Sequence, residues 1–358
     1  MKQGAIIGVL VLAWIICGPS PLIAKVTGPC FNCHTMHNSQ GGEVVFATGP
    51  LPALLNNECK GCHAGINDGS NMTPYVLMTE SEPTYRTTGT EADTDTLAGG
   101  NFYWVAMGGL DRTGHNVAGV ADPDSPLVNT PPGSVDGASL SEQLTCAGVN
   151  GCHGDRSVAN PYKALSGGHH NNDMTVWKNG TTLALSYRFL DGVRGLEDPD
   201  YEYRPTAAGH HNKYYGEDRT DETDTAEGTI SSLCAQCHGY FHNGTGEIAA
   251  GTIGQCSWLR HPTDFDMAGA TAGSEYSEYN GGTGTNNPYS VVSPVATADT
   301  ATILNTTVFS KPDDAIVMCL SCHRAHGTPN DAILRWNYKK WPGNDGYNGC
   351  AICHTTKN

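Results

Sequence analysis

The chain has 358 residues, with 20 basic against 36 acidic side chains and a formal net charge of −16. So acidic a surface repels phosphate, which excludes nucleic acid as a partner and favours cations or basic surfaces. Leu, Ile, Val and Phe together number only 62, too lean for a conventional side-chain core in a chain this long, so something other than aliphatic packing must hold it together.

In chain order, the first element is an apolar stretch from Ala5 to Cys17 behind a single Lys2. It is shorter than the roughly 20 residues that span a bilayer, and Ala24 offers a small residue for cleavage. Residues 1–24 therefore read as a secretory signal peptide, and 25–358 as one unit exported through the periplasm to the cell surface or beyond. A lipid anchor at Cys17 is the alternative, although Ile15 and Ile16 stand where small residues are expected.

Six cysteine pairs follow. Five read Cys-x-x-Cys-His: Cys30, Cys33 and His34; Cys59, Cys62 and His63; Cys234, Cys237 and His238; Cys319, Cys322 and His323; Cys350, Cys353 and His354. The sixth, third in chain order, is stretched to Cys146, Cys152 and His153. This is the spacing that covalent attachment of c-type haem requires. The two thiols form thioethers with one macrocycle, and the histidine lies under the iron as its proximal ligand. Zinc ribbons and thioredoxin-like sites also use Cys-x-x-Cys, but neither places histidine after every second cysteine. In the stretched motif the extra residues must bulge out, and Gly148 and Gly151 suit a bulge; a free or disulfide-linked pair is the alternative there. Six covalent haems are expected. The motifs use twelve of fourteen cysteines, leaving Cys17 in the leader and Cys256, which reads as a buried thiol or, failing that, an intermolecular link.

Between the motifs, 44 glycines and 20 prolines break almost every run. The expected fold is a mostly irregular chain with few short helices near the motifs and minor β structure, wrapped around a haem array that replaces the missing core. The acidic run from Glu217 to Asp224 lacks EF-hand spacing and reads as a solvated loop, with calcium as the alternative. Residues 268–287 are rich in Gly, Thr and Asn and the segment onward to Phe309 in Val and Thr, which fits a short hairpin or an exposed excursion. Asn-x-Ser/Thr triplets at Asn71, Asn179, Asn243 and Asn305 matter only in a host that glycosylates secreted chains.

From second cysteine to second cysteine the motifs are spaced 29, 90, 85, 85 and 31 residues apart. Close pairs thus sit toward each terminus. Neither terminal haem has enough flanking chain to cover it from its own side, which places electron entry and exit at the ends.

Of fifteen histidines, six are proximal. His37, His115, His261, His326, His211, His170 and His242 are the distal candidates for six irons, followed by His169 and His210. That supply lets every iron be six-coordinate, which marks electron transfer, because a haem that converts a substrate needs an open position. No catalytic residue is expected. His37, His242 and His326 lie too near a proximal histidine to share its iron, so each must reach across to another haem.

The blocks His34-Thr35-Met36-His37-Asn38-Ser39, Gly114-His115-Asn116, Cys234-Ala235 with Cys237-His238 and His242-Asn243, Leu259-Arg260-His261-Pro262, and Cys319 to His326 resemble those of the hexahaem outer-surface nanowire cytochromes, and they occur in the same order. The resemblance fails between Ser134 and Gly228, where the third motif is stretched and the family's histidine soon after it is absent, with His169-His170 and His210-His211 nearby. The resemblance implies a homopolymer with haems in one unbroken line, in which the histidine matching His37 ligates the fifth haem of the neighbouring subunit, here that of Cys319, Cys322 and His323. It implies an extracellular conduit between redox donors and outside acceptors. A monomeric periplasmic or outer-membrane-associated carrier is the alternative. A multihaem reductase is a third class, but its usual marks, a lysine in place of the motif histidine or an unligated haem, do not occur in the motifs.

Overall fold

A computed structural model describes residues 26, 28–69, 73–85, 96–207, 209–219, 226–242, 247–248, 258–259, 261–269, 274–340 and 349–355. Cys17, Cys256 and the leader lie outside them, as do residues 220–224 of the acidic run.

The longest α-helices among the described residues, Tyr103–Gly108 and Ile230–Ala235, have six residues each. Every β-sheet has two strands, each of two or three residues. The expectation of a mostly irregular chain is borne out. No helix of the described residues is long and apolar enough to cross a membrane.

The motifs are where helical turns do form. Cys59–His63 and Cys319–Cys322 are α-helical, Cys30–Asn32 and Gly349–Ile352 are 3₁₀ turns, and Cys234 lies in the last turn of Ile230–Ala235. In four motifs the histidine amide donates to the carbonyl of the first cysteine at 2.8–3.0 Å. Positions i, i+3 and i+4 share one face of a helical turn, so each turn presents two thiols and one imidazole to the same side.

The stretched motif solves the problem differently. Thr145–Ala147 pairs in parallel with Gly151–His153, in a loop closed by Gly148 N–H to His153 O (3.0 Å) and Gly151 N–H to Gly148 O (2.9 Å). Gly148 has φ +86°, and a Cβ there would stand 2.6 Å from the carbonyl oxygen of Val158. At Gly151 the constraint is space: a Cβ would meet the Ala147 amide at 2.6 Å.

Among the described residues, buried apolar side chains form three small clusters. One gathers Tyr187, Val193, Tyr214, Ile230, Ala296, Ile316, Met318 and Leu320. A second gathers Met267, Tyr279, Tyr289, Val295, Val308, Phe309, Ala315 and Ile352. The third is Leu77, Phe102, Val105 and Val117. The Val/Thr-rich segment is no exposed excursion: Asn287–Pro288 pairs with Thr307–Val308, and Val295, Val308 and Phe309 are buried. The same cluster covers part of the last motif through Ile352 and Cys353, so the C-terminal end is better enclosed than its short flank implies.

Candidate haem-binding site

Five of the six proximal histidines donate Nδ1–H to a backbone carbonyl. His34 donates to Ala53 O (2.8 Å), His63 to Pro74 O (2.9 Å), His153 to Arg188 O (2.8 Å), His238 to Pro132 O (2.6 Å) and His323 to Ala332 O (2.8 Å). A carbonyl only accepts, so each ring is held as the Nδ1–H tautomer with the Nε2 lone pair free for a metal.

Three of the acceptors sit in the same unusual turn. Ala53-Leu54, Arg188-Phe189 and Ala332-Ile333 are consecutive residues with φ between +49° and +57°. Such backbone is costly for non-glycine residues, and most of all for a β-branched one such as Ile333. The following leucine then bridges back to the motif: Leu55 to His34, Leu190 to Gly154 and Leu334 to His323. Motif reading missed these clamps. Their one sequence signal is a short apolar run ending in leucine: Ala53-Leu54-Leu55, Phe189-Leu190 and Ala332-Ile333-Leu334.

Opposite five of the proximal rings stands a second imidazole. The ring centroids are 6.0 Å apart for His34 and His170, 6.4 Å for His63 and His169, 6.3 Å for His153 and His326, 6.2 Å for His238 and His115, and 6.1 Å for His354 and His261. An imidazole nitrogen bonds a first-row metal at roughly 2 Å with the ring centre about 1 Å behind it, so two rings facing one ion stand about 6 Å apart. All five pairs have that spacing.

Local structure explains two of these meetings. His169 and His170 are neighbours in the short helix Gly168–Asn171; successive helical side chains diverge, so they face different motifs. His115 and His326 are laced together: His115 Nδ1 donates to Ala325 O (2.7 Å), the His115 amide to His326 O (3.2 Å), and the His326 amide to Gly99 O (2.7 Å). Gly327 makes that approach possible, because a Cβ would stand 2.5 Å from Asn101 O.

The remaining candidates are placed elsewhere. His211 is buried, stacked on Tyr289 at 4.2 Å, with Nδ1 bonded to Asn212 O. His242 is buried with Nε2 bonded to Asp264 Oδ2 at 2.8 Å. His210 is exposed beside Asp198 and Asp200. His211 and His242 are expected ahead of His169; the geometry brings His169 to a motif and bonds His242 to Asp264, while His211, with Nδ1 on a backbone carbonyl, keeps a buried Nε2 without a hydrogen-bond partner and faces no motif histidine. No described histidine stands opposite His323. His37 has no histidine opposite it either. It is exposed at φ +54° in a turn closed by Ser39 N–H to Met36 O.

Electrostatics match ligation by neutral imidazole. Burial pushes His169 and His238 down to about 4 and His326 down to about 3. At neutral pH these rings carry no proton on the nitrogen a metal needs. The thiols also feel one another from motif to motif. Cys62 feels Cys33, Cys59 feels Cys146, Cys152 feels Cys237, Cys234 feels Cys319, and Cys322 feels Cys353 and Cys350. Each motif thus adjoins the next, in a line that follows sequence order.

Two buried guanidinium nitrogens beside this line, Arg156 Nε near Cys152 and Arg335 Nη2 near Cys322, lack any partner. Orphaned donors of this kind match an anionic group such as a haem propionate. Thiol pairs on one face, tautomer-locked imidazoles and unpaired cations together fit c-type haem, which when bound supplies a one-electron iron couple.

A family model described as the doubled CXXCH motif matches residues 314–358. The curated c-type cytochrome OmcS of Geobacter sulfurreducens is 31% identical over 362 residues, covering 86% of this chain and 78% of that protein. Among solved structures, one described as cryo-EM of the OmcS nanowires from the same organism aligns with a TM-score of 0.50 at 24% identity, over 87% of this chain and 84% of that one. Another, an outer membrane cytochrome S filament, aligns at 0.43 and 21% identity over 88% and 84%.

Proposed function

Because the chain belongs to the OmcS family of c-type cytochromes, we propose that it is an extracellular electron conduit: six covalent haems, held in one line, carry electrons along a filament of identical subunits to an acceptor outside the cell. The observation that carries this reading is the asymmetry of the histidines. Five motifs have a second imidazole about 6 Å from the first, supporting axial pairs His34–His170, His63–His169, His153–His326, His238–His115 and His354–His261. The fifth motif has none among the described residues, and His37 stands exposed with no iron of its own.

A motif without a second imidazole and an exposed histidine elsewhere on the same chain fit head-to-tail assembly, since a heterologous contact that does not close generates an open polymer. His37 of one subunit completes the iron at His323 of the next. Three apolar side chains of the same segment, Phe31, Met36 and Val44, are each more than 60% exposed, which supports a joint there. Filled axial positions leave no room for substrate, so the protein transfers electrons and does not catalyse.

Replacement of His37 with alanine tests this. Filaments seen by electron microscopy should vanish while mass spectrometry still finds six haems per chain. Normal filaments from H37A would overturn the assembly mechanism.

A further inference from the structure

Away from the haem motifs, Asp198, Asp200 and His210 bring one ligand atom each to within 4.8 Å of one another. They line an open cavity of about 270 Å³ together with Pro199 and Gly209. We propose that this cluster binds a divalent transition-metal ion of the zinc type.

Two carboxylates in contact repel unless a proton or a cation lies between them. Asp198 is only 3% exposed, and neither carboxylate has an ion pair among the described residues. Asp200 Oδ1 is wholly shielded from water and has no hydrogen-bond partner, a position an acceptor holds in a native fold only when something unseen satisfies it.

The donors select the ion. Imidazole with two carboxylates suits zinc and its neighbours, whereas calcium takes six to eight oxygens and no nitrogen. Supporting bonds already aim the ligands: Asp198 Oδ2 accepts from Glu202 N–H at 3.0 Å, and His210 is fixed by paired backbone bonds with Thr206. An ion here ties residues 198–200 to His210 and its partner Thr206. That tie reaches the third motif, because Arg188 Nη2 donates to Asp198 O (2.7 Å) while Arg188 O holds His153.

The test uses the intact haem-loaded protein, stripped with chelator and dialysed against zinc alone. About one zinc ion per chain is expected to be retained, and H210A and D200N should each lose it. Zinc-edge X-ray absorption should show imidazole scattering within a mixed nitrogen and oxygen shell. Zinc should raise the thermal midpoint of the wild type but not of H210A, whose low-spin haem spectrum should be unchanged. Equal zinc in wild type and H210A would overturn the site, as would an all-oxygen shell. A high-spin haem in H210A would overturn it too, by making His210 an iron ligand.

Discussion

In residues 28–58 only Thr35 is buried, and Phe31, Met36, Val44 and Leu54 all face solvent; between residues 187 and 352 two clusters built on Tyr187, Tyr214, Tyr279, Tyr289 and Ile316 are almost fully enclosed. Both regions carry haem motifs of the same local form. The first has no side-chain core of its own. The second packs its own tyrosines and aliphatics, so the cofactor adds to a core that already exists. The difference teaches that motifs of one local form stand both in chain with a packed core and in chain without one, and that the exposed His37 lies in the region without.

Removal of the first thioether pair, by Cys30→Ala with Cys33→Ala, should give the largest effect. Amide exchange in residues 28–58 should approach that of unfolded chain, while Tyr214 and Ile316 keep their protection; retained protection in 28–58 would break the comparison. Next comes the dispersed chain itself. In dilute solution about one haem in six should be high-spin and bind carbon monoxide, and the band should disappear on assembly as His37 of the next subunit arrives. Histidine replacements sharpen the ligand map: H169A and H170A should each open one haem by the same spectroscopic criterion, H211A and H242A none. Gly148→Ala forces a side chain into left-handed backbone against Val158 O, and should cost about 1–3 kcal/mol in denaturant unfolding. Smallest is Asn38→Ala. It removes the bonds from Asn38 Nδ2 to Phe46 O (2.7 Å) and from Phe46 N–H to Asn38 Oδ1 (3.1 Å). About 1 kcal/mol should be lost, read as a weaker filament at equal haem content.

The cofactor class and the irregular fold were legible from spacing and composition, and the Gly148 bulge from glycine placement. The distal pairs were not. His34 meets His170, and His153 meets His326, across more than a hundred residues of chain whose path no periodicity describes. Two of the distal candidates, His211 and His242, stack on Tyr289 and bond Asp264 respectively, partners with no motif to announce them. The clamp turns at Ala53, Arg188 and Ala332 escaped because their residues are ordinary while their backbone is not.

What the sequence determined by itself is chemistry fixed within one helical turn: two thiols and an imidazole at i, i+3 and i+4 share a face wherever they occur, so attachment and proximal ligation need no knowledge of the rest of the chain. Only the tertiary structure decided which second imidazole stands opposite each of five motif histidines, and that none of the described ones stands opposite His323. Those choices depend on long loops brought together by packing and backbone bonds such as the His115–His326 lacing, and the free energy of such contacts belongs to the folded whole rather than to any segment.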